Sequence, residues 1–218
     1  MSRPASKSET LAGYAALAPV IPVLTVDEPD QAVRLARTLV EAGLPVVEIT
    51  LSTGAALRCI EAVARDVPEA VLAAGTVLRP DQIAQATDAG AKLLVTPGTS
   101  ARMAEALAEA GLPAMPACAT VSEALALFEL GFSLLKFFPA APSGGTAWLK
   151  AVSAPIPEVR FCPTGGLDAT SAPDYLACPN VACVGGSWMI PKDALASGDW
   201  ARISALARDA AALGRSGA

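Results

Sequence analysis

The feature that most constrains the fold of this chain is a steady alternation of short apolar runs with alanine-rich amphipathic stretches. Eight runs have the length and composition of buried strands, and their first residues are 21 to 26 positions apart. The predicted strands cover 20–26, 46–51, 71–77, 92–97, 113–118, 134–139, 159–165 and 181–186. Each interval holds one helix pattern, as at 29–42, 81–89, 101–110 and 121–130. This alternation predicts an α/β fold whose parallel sheet is covered on both faces.

The number of strands and their short connections favour closure into a (β/α)8 TIM barrel. The alternative is an open doubly wound sheet, which calls for a G-x-G-x-x-G turn after the first strand. The sequence at that point is Asp27-Glu28-Pro29-Asp30 instead. An extra N-terminal helix is predicted at 10–18. The barrel then accounts for residues 1–218 as a single domain, with 1–9 and 214–218 expected to be frayed.

Composition narrows the functional classes. Hydrophobic residues make up 53% of the chain and charged residues 17%, so a large core is expected and disorder is not. The net charge of −5 and the lack of a basic run disfavour nucleic acid as a partner. The apolar stretch at 11–26 is broken by Pro19 and Pro22 and ends in a strand pattern, so it predicts neither a signal peptide nor a membrane span. Five scattered cysteines without a C-x-x-C pair are typical of a reduced, cytoplasmic protein.

One lysine of the five stands out by its position. Lys136 lies within the apolar run Leu134-Leu135-Lys136-Phe137, toward the carboxyl end of its predicted strand, where TIM barrels carry their active sites. One interpretation is structural, with the side chain pointing outward and its ammonium reaching water between helices. The other is catalytic, because an amine that gives up its proton in a dry interior can attack a carbonyl and form a Schiff base.

A carboxylate interrupts a second strand in the same way. Glu48 lies in the apolar run Val46-Val47-Glu48-Ile49. The chain contains no histidine, so proton transfers in an enzyme of this composition fall to carboxylates, lysines or similar groups. Glu48 is therefore predicted either to pair with Lys136 as a structural ion pair or to serve as its acid/base partner, and the two roles are compatible. The sequence shows no metal-binding pattern, so neither a metal nor a cofactor is predicted.

Glycines and hydroxyls cluster where the last two strands end. Thr164-Gly165-Gly166 follows the seventh strand, and Gly185-Gly186-Ser187 follows the eighth. Tight turns explain such clusters in general. In TIM barrels these two loops frequently bind phosphate through exposed backbone N–H groups, and that interpretation is favoured here.

Several segments taken together resemble the 2-keto-3-deoxy-6-phosphogluconate (KDPG) aldolases, a family that includes enzymes which also cleave 4-hydroxy-2-oxoglutarate (KHG). The resemblance runs in order from about residue 10 to residue 210. It rests on GTV at 75–77, TPG at 96–98, LKFFPA at 135–140, SGG at 143–145, VRFCPTGG at 159–166 and VGGSWM at 184–189.

The resemblance implies a class I aldolase that needs no metal, forms a homotrimer and works in the Entner–Doudoroff pathway. Its reaction would be the reversible cleavage of KDPG to pyruvate and glyceraldehyde 3-phosphate. By the same resemblance, Lys136 is the Schiff-base lysine and Glu48 the general acid/base. The remaining implied site residues contact the substrate (Thr76, Pro97, Phe138 and Thr164) or its phosphate (Gly165, Gly166, Gly186 and Ser187).

The chain departs from the family pattern at the pocket. Many members carry T-L-R-T where this chain has Thr50-Leu51-Ser52-Thr53, so Ser52 occupies the position of an arginine that holds the pyruvate carboxylate. Ser52, Thr76 or backbone amides are the expected partial substitutes, and Arg79 is a weaker one. The alternatives that stay open are a 2-keto-3-deoxy-6-phosphogalactonate aldolase, an aldolase for other aldehyde acceptors, and a catalytically weak barrel that acts as an oligomeric scaffold.

Overall fold

The computed structural model describes residues 6–214 of the chain. Its strands are β1 (Val20–Leu24), β2 (Val46–Thr50), β3 (Val71–Gly75), β4 (Leu93–Val95), β5 (Ala114–Met115), β6 (Ala117–Cys118), β7 (Leu134–Phe137), β8 (Arg160–Pro163) and β9 (Val184–Gly186). Its helices are α1 (Lys7–Ala16), α2 (Pro29–Glu41), α3 (Ala56–Asp66), α4 (Asp81–Asp88), α5 (Ala101–Glu109), α6 (Val121–Glu129), α7 (Gly145–Val152), α8 (Ala172–Leu176), α9 (Lys192–Ser197) and α10 (Trp200–Ala211).

The strands form a curled, all-parallel sheet of the TIM-barrel type. Six strands pair in the order β5-β4-β3-β2-β1-β9, and three pair in the order β6-β7-β8. Isolated bridges between Thr164 and Gly185, and between Phe161 and Val181, link the end of the second group to the end of the first. The prediction of an α/β fold with a parallel sheet is confirmed.

The predicted strand 113–118 is divided at Pro116 into β5 and β6. Proline has no N–H to give to a neighbouring strand, so the ladder is interrupted there. The next N–H, that of Ala117, donates to the side-chain hydroxyl of Thr96 at 2.9 Å instead of to a backbone carbonyl. The carbonyl of Pro116 accepts from the N–H of Lys136 at 2.9 Å, so the chain passes at this proline from the first group of strands to the second.

Alternate residues of each strand enter two separate cores. Val47 and Ile49 of β2 belong to the larger core between the sheet and the helices. Val46 belongs to a smaller core on the inner side of the sheet, whose members also include Leu93, Met115 and Leu134. Because side chains alternate along a strand, Glu48 and Lys136 face the same inner side as Val46 and Leu134.

Part of the N-terminal segment that was expected to be frayed is helical. Residues 7–9, expected to be frayed, form the first turn of α1, and the helix begins three residues before the predicted 10–18. Ser6 and Glu9 close this turn with a capping box. Leu11 and Ala15 pack against the inner core, so α1 covers one end of the sheet. The rest of the expected frayed segments, 1–5 and 215–218, lies outside the described residues.

Within residues 6–214, no helix is both long and apolar enough to cross a membrane.

Candidate active site

The site is built around a buried ion pair. The Nζ atom of Lys136, on β7, donates to Oε1 of Glu48, on β2, over 3.0 Å. The lysine is 5% exposed and the glutamate 2%. A lysine that snorkels between outer helices would have a solvated ammonium, so this burial speaks against the structural interpretation of Lys136. A buried pair of this kind is a weak source of stability, because desolvation offsets most of the attraction, and its retention favours a chemical role.

A glycine on the adjacent strand makes room for the carboxylate. Gly75 of β3 is paired with Thr50, beside Glu48 on the neighbouring strand. A Cβ atom at Gly75 would overlap Oε1, Cγ and Cδ of Glu48. Sequence reasoning used Gly75 only as part of a motif and missed this role. The signal for it was a glycine that ends a strand next to the strand carrying the buried acid.

The surroundings of the lysine are apolar and small. Ala117 and Cys162 are its register partners on the two neighbouring strands. The ring of Phe138 lies with its centroid 5.5 Å from Nζ, a cation–π distance. The strand neighbours of the lysine are therefore small, and the Phe138 ring forms a wall beside the amine. The contact of Phe138 with substrate stays a prediction, and this position is compatible with it.

Three hydrogen-bonded hydroxyl groups lie nearer the carboxyl edge of the sheet than Glu48. Oγ1 of Thr50 is 2.7 Å from Oγ of Ser52 and 3.2 Å from Oγ1 of Thr25. Thr50 also donates to the carbonyl of Leu24 at 3.1 Å. Ser52 was predicted as a site residue, whereas Thr25 and Thr50 were missed. Each of the two threonines lies at the carboxyl end of one of two paired strands, which is the signal that could have identified them.

Arg79, the weaker predicted substitute for an arginine at position 52, is paired at the surface. Its guanidinium is held by the carboxylate of Asp81 through two contacts of 3.2 Å. Both side chains of this pair are more than half exposed. Arg79 is thus committed to a surface pair at the start of α4.

Two of the other predicted substrate contacts follow β3 and β4. Thr76 has φ = 58°, and among the described residues it is the one non-glycine with a positive φ. A residue other than glycine in this region costs roughly 1–2 kcal/mol, and such strain is concentrated at functional sites. Pro97 lies two residues beyond β4 and is half-buried. Both therefore lie at the carboxyl edge of the sheet.

The loops after β8 and β9 lie side by side, as the phosphate prediction requires. Thr164 is bridged to Gly185, and a Cβ atom at Gly185 would overlap the hydroxyl of Thr164. Gly165 and Gly166 have φ values of 97° and 79°, which a side chain would disfavour. A Cβ atom at Gly165 would lie 3.1 Å from the ring of Phe138, so this loop adjoins the wall above Lys136.

The loop after β9 opens onto a cavity of about 210 Å³. Its polar lining includes Ser187, Thr25 and Lys192, and its floor is formed by apolar residues such as Leu35 and Leu195. Gly186 lies against the indole of Trp188, where a Cβ atom would overlap the ring. Of the predicted phosphate residues, Ser187 lines this cavity together with Lys192, a cation that sequence reasoning did not select.

The five cysteines are buried and form no disulfide with one another. Within residues 6–214, no group of three or more histidine, cysteine, aspartate or glutamate side chains is arranged to hold a metal ion. Burial raises the pKa of the Cys118 thiol to about 12, with a smaller contribution from Glu123. Cys118 is therefore a protonated core residue at neutral pH.

The chain is similar to several known proteins. The model of the family described as KDPG and KHG aldolase matches residues 13–206. The KHG/KDPG aldolase of Escherichia coli (strain K12) is 45% identical over 192 residues, which are 88% of this chain and 90% of the relative.

Two solved structures show the same fold. A KDPG aldolase from Legionella pneumophila, with pyruvate captured as a covalent carbinolamine intermediate, has a TM-score of 0.90 and 38% identity. The match covers 92% of this chain and 98% of that one. The 2-keto-3-deoxy-6-phosphogluconate aldolase of Zymomonas mobilis ZM4, solved with 3-phosphoglycerate, has a TM-score of 0.89 and 39% identity. This second match covers 96% of this chain and 98% of that one.

Proposed function

Because this chain belongs to the KDPG and KHG aldolase family, we propose that it cleaves KDPG reversibly to pyruvate and glyceraldehyde 3-phosphate, with Lys136 as the Schiff-base nucleophile. It is a class I aldolase, and KHG is a second substrate in this proposal. The observation that carries the assignment of residues is the 3.0 Å contact between Lys136 Nζ and Glu48 Oε1 in a buried, apolar setting.

The pair supplies the reactive amine by an internal proton transfer. When the proton of the Lys136 ammonium moves to Glu48 along their hydrogen bond, both groups become neutral and the amine is free to attack. Nζ adds to the C2 ketone of the substrate, and the ketone oxygen becomes the hydroxyl of a carbinolamine. Glu48 then returns its proton to that hydroxyl, water leaves, and an iminium ion forms with Glu48 ionised again.

The iminium draws electrons from the bond that breaks. Glu48 takes the proton of the C4 hydroxyl, directly or through a water, and C4 becomes the carbonyl carbon of glyceraldehyde 3-phosphate. The electron pair of the C3–C4 bond moves toward the nitrogen and leaves an enamine on Lys136. Glu48 protonates C3, and water then hydrolyses the iminium to release pyruvate and restore the ion pair.

The remaining site residues bind and orient the substrate in this proposal. Thr76, Pro97, Phe138 and Thr164 surround the reacting carbons, and Ser52 lies toward the carboxylate end. Gly165, Gly166, Gly186 and Ser187 hold the phosphate through backbone N–H groups and a hydroxyl. This division is supported by the adjacency of the β8 and β9 loops and by the contact of Gly165 with the Phe138 wall.

The same proposal extends to architecture and setting. We infer that the two groups of strands close into one (β/α)8 barrel that forms a single domain, and that the bridges beyond β8 supply the closure. We also propose that the enzyme is a cytoplasmic homotrimer whose partners are small molecules. Several exposed apolar side chains on α6, among them Leu125 and Phe128, support contact between subunits.

The decisive experiment is reductive trapping. We expect incubation with pyruvate and borohydride to add a pyruvate-derived group to Lys136, located by peptide mass spectrometry, and to abolish cleavage. Lys136→Arg should show neither adduct nor activity, and Lys150→Arg, a lysine on outer helix α7, should show both. Trapping at any lysine other than Lys136 would refute the assignment. Cleavage rates on the two C4-epimeric substrates, measured in parallel, distinguish the gluconate from the galactonate enzyme.

A further inference from the structure

The cavity after β9 contains a lysine whose charge is available to a ligand. Lys192 is exposed and lines this cavity together with Ser187. The carboxylate next to it in the chain, that of Asp193, is paired with Arg202 at 2.6 Å. Among residues 6–214, none of the four ion pairs includes Lys192. The cavity therefore offers an ammonium group to an anion that enters it.

A turn after β9 brings this lysine to the cavity. The N–H of Ile190 donates to the carbonyl of Ser187 at 3.0 Å, so the chain changes direction directly after the strand. The N–H of Leu195 donates to the carbonyl of Pro191 at 2.9 Å and closes the first turn of α9, which begins at Lys192. Ser187 and Lys192 line one cavity because these backbone hydrogen bonds hold the segment between them in place.

The same cavity reaches the strand beside the catalytic carboxylate. Val23 of β1 lines it, and Val23 is the register partner of Glu48. The preceding residue of β1, Pro22, is paired with Gly186 of β9. The cavity thus extends from the strand next to Glu48 to the loop that carries Ser187. A substrate whose C4 hydroxyl lies at Glu48 can extend its remaining carbons into this space.

The size and the polar lining of the cavity fit a phosphate ester. Its volume is about 210 Å³, which corresponds to the liquid volume of about seven water molecules. A phosphate group and the carbon that carries it need less than this. A phosphate monoester carries about −1.5 to −2 charges near pH 7. The Lys192 ammonium can bind it as a point charge, and the Ser187 hydroxyl can donate a hydrogen bond to it.

We propose that Lys192 holds the phosphate of the substrate and thereby makes the enzyme prefer KDPG to KHG. This inference rests on the proposed function and adds Lys192 to it as a specificity-determining residue. The phosphorus of KDPG lies two carbons and an ester oxygen beyond C4, so it reaches into the cavity while C4 stays beside Glu48. The second carboxylate of KHG is bonded to C4 itself and stays near the reacting carbons. Lys192 therefore contacts the phosphorylated substrate and not the shorter one.

The first test removes the charge and keeps the apolar part of the side chain. Lys192→Met should lower kcat/KM for KDPG cleavage about 10-fold, the lower end of the range for a hydrogen bond to a charged group, because the lysine is exposed. The kcat/KM for KHG should stay within about twofold of the wild-type value, below the effect of one hydrogen bond. Lys192→Arg keeps the charge and should recover most of the loss. High salt should reduce the difference between wild type and Lys192→Met, because ions screen an exposed contact.

A matched control and a binding measurement accompany this test. Lys150 is an exposed lysine of α7 that does not line the cavity. Lys150→Met removes the same charge and should leave both kcat/KM values within about twofold of wild type. Glycerol 3-phosphate carries the phosphate but has no carbonyl that could react with Lys136. In isothermal titration calorimetry, Lys192→Met should bind it about 10-fold more weakly than the wild type does.

The outcomes separate the two proposals. An unchanged kcat/KM for KDPG in Lys192→Met, or an unchanged affinity for glycerol 3-phosphate, overturns the role of Lys192 and leaves the aldolase intact. Equal losses for KDPG and KHG overturn it as well, because they would indicate a structural role or a contact with the pyruvate carboxylate that both substrates share. Absence of a pyruvate adduct on Lys136 in the wild type refutes the proposed function, and the affinity for glycerol 3-phosphate then still decides whether Lys192 binds phosphate.

Discussion

Replacing Lys136 by methionine should strongly destabilise the protein, because it leaves the Glu48 carboxylate in the interior without a cation. Glu48 is 2% exposed, and the Lys136 ammonium 3.0 Å away is its ion-pair partner. Breaking a buried pair from one side costs about 3–5 kcal/mol in the free energy of unfolding. The loss is measured by equilibrium urea denaturation at neutral pH, followed by far-ultraviolet circular dichroism.

The double variant Lys136→Met/Glu48→Met should regain most or all of this loss. Replacing both charges by apolar side chains removes the buried charge, and such replacements are commonly neutral or stabilising by about 1–4 kcal/mol. Methionine is chosen because its unbranched chain fits where Gly75 leaves narrow space for Glu48. We expect the double variant to be catalytically dead and as stable as the wild type, which would show that the pair is kept for chemistry.

A second ion pair provides the control. Arg202 and Asp193 approach more closely, at 2.6 Å, but their side chains are 49% and 72% exposed. Solvent screens such a pair, so Arg202→Met should cause no measurable loss of stability. Two results would contradict this account of the buried pair. One is that Lys136→Met lowers the free energy of unfolding no more than Arg202→Met does. The other is that the losses caused by Lys136→Met and Glu48→Met simply add in the double variant.

Three further predictions follow from single contacts. Gly75→Ala should lower kcat about 100-fold with the fold retained by circular dichroism, because its Cβ displaces the Glu48 carboxylate; unchanged kcat would contradict the overlap. Burial raises the pKa of the Cys118 thiol to about 12. Cys118 should therefore not react with iodoacetamide in the native protein near pH 8.5, but it should react in urea, as measured by mass spectrometry. Labelling of the native protein would contradict its burial. The backbone N–H of Ala119 is the main cause of a lowered pKa at Glu123. Glu123 therefore stabilises the folded protein fully above the ordinary carboxyl pKa of 4.5, and this stabilisation is lost as the pH falls through the lowered pKa. Glu123→Gln should therefore lower Tm at pH 7 more than near pH 3, and an equal loss at both would contradict this.

The sequence predicted the fold well because strand spacing and apolar alternation are local properties. The start of β1 at Val20, of β2 at Val46 and of β3 at Val71 agrees with the predicted positions. The break at Pro116 was not anticipated, although a proline inside a strand is a known warning. Its outcome depends on Thr96, the residue that follows β4, whose hydroxyl accepts from the N–H of Ala117 in place of a backbone carbonyl.

Sequence predicted those site residues whose type is unusual for their position. It did not predict those whose role comes from a contact between two strands. Lys136 and Glu48 are charges in apolar strands, so single positions identified them. Thr25 and Thr50 are ordinary strand residues, and their importance arises from a contact with each other over 25 positions. The space that Gly75 leaves for the Glu48 side chain likewise depends on how β2 and β3 are aligned, and the sequence of one strand alone does not show that alignment.

The separation of the catalytic pair along the chain has a consequence for synthesis. Glu48 and Lys136 are 88 positions apart. At usual translation rates of about 5–20 residues per second, the carboxylate is made roughly 4–18 seconds before its ammonium. Over that interval the early strands hold a charge without its counterion and cannot seal it in a dry core. The growing chain is therefore expected to stay open and hydrated around β2 until β7 emerges.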